Sequence, residues 1–338
     1  MSENLPSVTV VIAARPDQAD VQAVAAAQQL DYPSDCLDII VARGKQPSVQ
    51  RNTAIRAATG DWVYFLDDDS MAQRGNLRLA LKFLGEPGVQ MVGGPNLCPP
   101  DAPPLERVFA VVLSSWLAFG PSRARYAPVG DARETGEKEL ILCNLLARRA
   151  AMLERGGFNE ALYPNEENAL MDELQKRGGK LIYAPGFFVY RRPRRTLKSF
   201  AGMLMTYGRG RAEQFRVHPT PGSALNFAPP LFCLYLVALL AAGLTGILRG
   251  SLGRWVAAPL GFYILAIIAQ TFASMKSNGV RRSLAAAPLL AVSHILYGLG
   301  FWRGLFTRLH RGANRLRIEV QLEHVAGNQA GPGAPSPR

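Results

Sequence analysis

The sequence predicts an α/β domain with a mostly parallel sheet, followed by C-terminal transmembrane helices, and three observations carry that expectation. Apolar, β-branched runs alternate with helix-like stretches through the first part of the chain, the pattern of right-handed βαβ units. One run, Trp62-Val63-Tyr64-Phe65-Leu66, stops on Asp67-Asp68-Asp69-Ser70, and ligands of open α/β sheets sit beyond the carboxyl ends of such strands. Segments 225–248, 255–275 and 284–306 are free of acids, and each is close to the ~20 residues needed to cross a bilayer as a helix.

In order, Val8–Ala14 reads as a buried strand, Arg15-Pro16-Asp17 as a turn, and residues 20–30 as an Ala/Gln-rich helix. Residues 37–42 form a second strand, and 49–59 a helix that carries Arg51-Asn52 and stops at Gly60. The acid-tipped strand follows. Residues 76–84 are a helix, 89–95 a strand ending in glycines, 107–119 an apolar helix and 121–137 a polar, Arg-rich, mobile loop. A strand over 139–144 and a helix over 149–155 lead into Gly156-Gly157-Phe158. Asn165-Glu166-Glu167-Asn168 opens a helix to Arg177, where carboxylates also favour the helix dipole, and residues 180–190 are a further strand. Residues 191–216 are strongly basic, with Leu197, Phe200, Met203, Leu204 and Tyr207 three and four apart. That is an amphipathic helix suited to an anionic membrane surface or to packing on the soluble domain.

The domains expected are therefore 1–190 (the α/β domain), 191–222 (basic, interfacial), 223–309 (membrane, two or three transmembrane helices) and 310–338 (a basic, then disordered tail). A net charge of +12 and a pI near 9.9 need an anionic partner. Lipid and phosphorylated substrates fill that role, and no basic and aromatic interleaving marks a nucleic-acid module, so nucleic acid is not expected. Cysteines 36, 98, 143 and 233 have neither zinc spacing nor a disulfide pattern. The first seven residues lack the apolar core of a signal peptide, so the α/β domain is expected to stay in the cytoplasm, with the apolar segments making a multi-pass protein of the cytoplasmic (inner) membrane. Three full crossings would put Arg308, Arg311, Arg315 and Arg317 outside, against the positive-inside tendency. Either one segment is re-entrant or interfacial, or the tendency fails.

Three adjacent carboxylates repel one another, and a divalent cation relieves that repulsion and bridges to phosphates; a solvated acidic turn capping the next helix is the other reading. Several motifs together decide between them: the first strand with its turn, Arg51-Asn52, Phe65-Leu66-Asp67-Asp68-Asp69, Gly156-Gly157-Phe158-Asn159-Glu160, Glu166-Glu167 and Tyr207-Gly208-Arg209-Gly210-Arg211. In this order the chain resembles the inverting family 2 glycosyltransferases with a GT-A (Rossmann-like) fold. The likeness is closest to bacterial membrane-attached members of exopolysaccharide assembly, the succinoglycan glucosyltransferase type.

That resemblance implies a DxD motif in Asp67 and Asp69, with Asp69 and Asp67 holding Mg2+ or Mn2+ on the donor diphosphate and Asp68 as an auxiliary. It implies Glu167 as the general base, with Glu166 competing for the role. Ala14, Asp17, Arg51, Asp67, Asp68, Asn144, Arg209 and Arg211 would bind the nucleotide sugar, Asp17 near the base and the two arginines on the leaving diphosphate. The activity implied is inverting transfer from a nucleotide diphosphate sugar donor to a lipid-linked acceptor, a polyprenyl-diphosphate-linked saccharide, with anionic membrane lipid as a further partner. Transfer directly to a polyprenyl phosphate and a non-catalytic membrane scaffold are the alternatives.

Overall fold

The computed structural model describes residues 5–160, 166–217, 219, 221–307 and 319–325. The first part of the chain forms β1 (Val8–Ala14), α1 (Gln22–Gln28), β2 (Leu37–Arg43), α2 (Pro47–Ala57), β3 (Trp62–Asp67), β4 (Met71–Ala72), α3 (Asn76–Leu84), β5 (Val89–Gly93) and β6 (Asn96–Leu97). Next come α4 (Pro104–Leu113), α5 (Trp116–Phe119), β7 (Arg133–Thr135), β8 (Asn144–Arg148), α6 (Arg149–Glu154), α7 (Glu166–Lys176), β9 (Lys180–Tyr183) and β10 (Val189–Tyr190). The last elements are α8 (Leu197–Val217), α9 (Ala228–Leu244), α10 (Ser251–Asn278), α11 (Val280–Phe306) and β11 (Gln321–Val325).

An eight-stranded sheet in the order β11-β2-β1-β3-β8-β5-β9-β7 is the frame. Strands β1, β2, β3, β5 and β9 run one way and β7, β8 and β11 the other, so the sheet is mostly parallel by direction but mixed in its pairings. Alternate residues of each strand face opposite ways. Val8, Val10 and Ile12 of β1 therefore pack with Ala23 and Ala27 of α1 and with Leu77 and Ala80 of α3. Val11, with Val63 and Phe65 of β3, packs on the other face with Ala54 and Ile55 of α2, Met152 of α6, and Leu170 and Met171 of α7. A small second sheet, β4-β10-β6, sits beside the end of β3 and ties the chain after residue 70 to the chain before residue 191.

The elements depart from expectation in five places. The strand expected over 139–144 begins only at Asn144, because Leu140, Leu142 and Cys143 are buried in a turn whose Ile141 carbonyl accepts from the Asn144 N–H. The loop 121–137 contributes β7 to the sheet edge, where it pairs with β9. The helix expected over 107–119 breaks at Ser114 and Ser115; the Ser115 hydroxyl accepts from the Ala118 N–H and starts α5. The run 180–190 divides into β9 and β10 around Pro185, which cannot donate to a ladder. In the tail, where no strand was expected, residues 321–325 form β11 on the open edge of β2; residues 308–318 and the stretch 326–338 expected to be disordered lie outside the described residues. Much of the apolar face of α8 packs on protein, with Phe200 stacked on Phe109 of α4 and buried beside Leu290 of α11, while Leu197 at its start is exposed.

Candidate active site

β3 carries Asp67 to the end of the sheet, and a tight turn in which the Ser70 N–H donates to the Asp67 carbonyl follows at once. Pairing of β10 with β4 brings Arg191, the residue after β10, alongside this turn. Arg191 bridges the two outer acids, its Nε 2.5 Å from Asp69 Oδ1 and its Nη1 3.1 Å from Asp67 Oδ2. On the other side, Arg51 of α2 places Nη2 2.8 Å from Asp67 Oδ1 and Nη1 3.2 Å from Glu166 Oε1. A continuous row of alternating charge, Asp69, Arg191, Asp67, Arg51, Glu166, thus crosses from the end of the sheet to the start of α7.

Asn52, next to Arg51, fixes the geometry of that row. Its Oδ1 accepts from the Phe158 N–H, and its Nδ2 donates to the Phe158 carbonyl and to Glu160 Oε1. Gly157 lies at φ +82°, and a Cβ there would sit 2.3 Å from Asn52 Oδ1, so the position demands glycine. The Arg51-Asn52 and Gly156-Gly157-Phe158-Asn159-Glu160 motifs are therefore one unit that docks α2 against the segment leading to Glu166 and Glu167.

The electrostatics of the carboxylates diverge. Burial pushes Asp67 up, but Arg191 and Arg51 together outweigh it and hold the carboxyl below its usual value. Glu166 is raised to about 7, by burial first and the neighbouring Glu167 second, with Arg51 only partly offsetting them. A carboxyl whose folded value is raised binds its proton more tightly when folded, so its contribution is fully present below the unfolded value near 4.5 and is lost as pH rises through about 7. Glu166→Gln, which keeps a hydrogen-bond acceptor for Arg51, is expected to gain stability relative to the parent between pH 5 and pH 8, by about 2 kcal/mol at the upper end. Thermal unfolding of both proteins across that range checks it; a pH-independent difference would contradict it.

Glu167 lines a cavity of about 560 Å3 between the catalytic domain and the apolar helices. Arg125, Lys138 and Arg211 lie on its wall, as do Phe119 of α5, Phe232 of α9 and Tyr263 of α10. Arg125 is committed to structure: it donates to the Glu137 and Lys138 carbonyls and to Asn168 Oδ1, which holds the 137–138 segment against the first turn of α7. Arg211 donates to Glu137 Oε2 at 3.2 Å and Gln214 Oε1 at 3.1 Å.

Of the residues singled out by sequence, Asp67, Asp69, Arg51 and Glu166 come together directly, and Glu167 follows in the first turn of α7. Ala14 ends β1 with its carbonyl taken by the Gly44 N–H and Gln50 Nε2, so it shapes the adjoining loop by its backbone. Asp17 is exposed in that loop, and Asp68 anchors α1 by accepting the Ala23 N–H at its carbonyl. Asn144 lies on β8 opposite Leu66 of β3 and is fully buried, accepting from Tyr64 Oη and donating to the Phe187 carbonyl, so its side-chain bonds go to the interior. Arg209 pairs with Glu213 one turn along α8, and Arg211 faces the cavity rather than the Asp67 cluster. Cys143 is buried beside the cluster, its thiol pushed up to about 12 by burial first, with Asp67 and Asp69 adding to the rise and Arg191 opposing it.

Sequence reasoning missed Arg191. The signal was present in Arg191-Arg192-Pro193-Arg194-Arg195, which follows directly on an extended run, but its charge was assigned to the membrane surface.

A mixed α/β sheet whose central strand ends on a carboxylate cluster is the architecture of the GT-A glycosyltransferases. Residues 1–204 match the family model described as "Glycosyltransferase like family 2", and the chain belongs to that family. Two curated pre-mycofactocin glycosyltransferases of Mycobacterium tuberculosis strains are 26% identical over 201 residues, 59% of this chain and 41% of theirs. The succinoglycan biosynthesis protein ExoA of Rhizobium meliloti is 26% identical over 200 residues, 59% of this chain and 56% of its own length. The match therefore spans about half the length of these relatives. Among solved structures, the mannosyltransferase PcManGT from Pyrobaculum calidifontis, in complex with GDP-Man and Mn2+, superposes with a TM-score of 0.52 at 20% identity. That superposition covers 84% of this chain and 86% of PcManGT, and the likeness is one of fold.

Proposed function

We propose that the protein transfers a sugar, with inversion and with the aid of a divalent cation, from a nucleoside diphosphate sugar to a saccharide carried on a polyprenyl diphosphate, in cell-surface polysaccharide biosynthesis. The observation that carries this reading is the cavity in which Glu167 meets both cationic side chains and the apolar helices. A carboxylate on a wall shared with membrane-type helices suits an acceptor that is part sugar and part lipid. Polysaccharide assembly is the role given by the name of the Rhizobium relative.

Asp67 and Asp69 fit a hard divalent ion: both are carboxylates, and they already hold one cationic group between them. Among the described residues no third His, Cys, Asp or Glu joins them, so the rest of the shell would come from donor oxygens and water. When bound, such an ion supplies positive charge to the leaving diphosphate. The chain's own residues do the rest. Glu167 takes the proton of the acceptor hydroxyl as its oxygen bonds to the anomeric carbon from the face opposite the nucleotide; the bond to the diphosphate oxygen breaks and its electron pair leaves with the nucleotide. Glu166 holds Arg51, which in turn holds Asp67 beside the donor. With the donor supplied from the cytoplasm, the catalytic domain faces that compartment and the apolar helices lie in the inner membrane.

Detergent-solubilised protein given a panel of nucleotide sugars with Mn2+ or Mg2+ and lipid-linked saccharides should release nucleoside diphosphate and elongate one lipid-linked product, and chelation should stop both. Product found solely on a lipid monophosphate would move the acceptor to polyprenyl phosphate. Release unchanged in Asp69→Ala and Glu167→Gln would sink the enzymatic reading.

A further inference from the structure

Length and hydropathy pick out three helices that suit a bilayer, over 224–244, 251–278 and 280–306, but their surroundings differ. The most apolar stretches of the first two are 17% and 6% buried, whereas that of α11 is 39% buried. α11 runs parallel to α8 in close backbone contact. A Cβ on Gly208 would lie 2.0 Å from the Tyr297 carbonyl oxygen, one on Gly300 2.1 Å from that of Met205, and one on Gly304 2.4 Å from that of Arg209. Small residues at each crossing let the two backbones meet. The earlier turns of α11 are tied to the catalytic domain as well, with Ala286 and Leu290 buried among Val108 and Phe109 of α4 and Phe200 of α8.

That packing constrains the membrane. α8 carries Lys198, Arg209, Arg211, Glu213 and Arg216. A helix locked along α8 could cross the hydrocarbon only by taking those charges with it, at about 2.5–3.5 kcal/mol for each Lys or Arg near the centre. The outward face of α11 is different: Leu284, Val292, Leu299 and Phe306 are exposed at spacings of 8, 7 and 7 residues, a single apolar stripe. One face on protein and one apolar stripe outward is the pattern of a helix lying in the interface. Trp116 of α5 is also exposed, with the Arg123 guanidinium 5.6 Å from its ring, an anchor of the kind found at headgroup level.

A second observation is independent of these contacts. After α11 the chain returns to the catalytic sheet as β11, antiparallel to β2 from Gln321 opposite Arg43 to Val325 opposite Ile39. Glu323 pairs with Arg43 at 3.1 Å, and Arg43 also donates to the Gln18 carbonyl in the loop after β1. Both ends of the membrane module therefore lie on the side of the catalytic domain, which requires an even number of crossings.

We infer that α9 and α10 alone cross the bilayer, as an antiparallel pair, and that α11 lies along the membrane surface as the floor of the catalytic domain. The ring of Phe232 on α9 packs at a tilt against that of Tyr263 on α10, 4.4 Å between centroids, and Tyr235 Oη donates to the Val256 carbonyl, which sets the pair's antiparallel register. The basic tail then stays with the catalytic domain, and the surface offered to lipid is the stripe on α11 together with Trp116. This topology holds whatever sugar is transferred.

The test uses the full-length protein in intact cells, treated with a membrane-impermeant maleimide and read cysteine by cysteine by peptide mass spectrometry. Native Cys36 and Cys98 report the catalytic side, Ser251→Cys the exposed first residue of α10, just after the turn from α9, and Gln321→Cys the exposed start of β11. Gln321→Cys is expected to behave as Cys36 and Cys98 do, and Ser251→Cys in the opposite way, with every site reactive once the membrane is permeabilised. Gln321→Cys reacting together with Ser251→Cys would make α11 a third span and overturn the inference. Ser251→Cys reacting together with Cys36 would overturn the crossing pair.

Discussion

Glu167→Gln is expected to lower kcat by about 10²–10⁴-fold, the usual worth of a positioned general base, while leaving nucleotide-sugar binding unchanged. The split follows from placement: Glu167 lines the cavity, whereas Arg51, Asp67 and Asp69 form the cluster proposed to receive the donor. Glu166→Gln is the matched comparison. Glu166 is buried and turned toward Arg51, so its amide variant keeps a partner there and is expected to retain far more turnover. Steady-state kinetics of both variants, with donor affinity measured calorimetrically, decides the matter. The reverse ranking would move the base to Glu166, whose value near 7 suits proton transfer, and would recast Glu167 as a wall of the acceptor cavity.

The largest stability effect is expected at Arg51. Its guanidinium is nearly inaccessible, with a side chain 8% exposed, and serves two carboxylates of which Glu166 is 3% exposed. Arg51→Ala leaves Glu166 buried without its cation, and losses of about 3–5 kcal/mol are typical when one partner of a buried pair is removed. The pH dependence has a definite sign. Without Arg51 only a backbone hydrogen bond still opposes burial and Glu167, so Glu166 takes up a proton more readily, and the loss should be smaller at pH 6 than at pH 8. The double variant Arg51→Ala with Glu166→Gln should recover part of it, because the stranded charge is gone. Equal loss at both pH values with no recovery would mean that Arg51 acts through packing alone.

What the sequence revealed depended on whether a signal was local. β1, β3 and α3 were legible to the residue or within one, because an apolar run or period announces itself over a few residues. Asp67 and Asp69 were legible because they terminate such a run. Asn144 was legible only in part: it lies in an apolar stretch, and its bonding to Tyr64 and Phe187 is visible only once β8 sits between β3 and β5. Arg191 was hidden for the opposite reason. Its partners are 122 residues away for Asp69 and 124 for Asp67, counting 191 − 69 and 191 − 67, and the contact exists because two-residue strands β4 and β10 pair. Strands that short leave no periodic trace. β11 was unreadable because Gln321-Leu322-Glu323-His324-Val325 is short and mostly polar and exposed, with only Leu322 and Val325 half-buried, so it resembles a tail in composition.

That late strand has a consequence for how the molecule is made. Until residues 321–325 leave the ribosome, β2 presents an unpaired row of backbone donors and acceptors, the feature that invites pairing with foreign strands. Every other strand of the sheet is complete by Tyr183, and more than a hundred residues of helix and connection are synthesised before the edge closes. The catalytic sheet is therefore finished after the apolar helices have been made, and a ribosome stalled within α10 or α11 carries a domain that has its carboxylate cluster but still has an open edge.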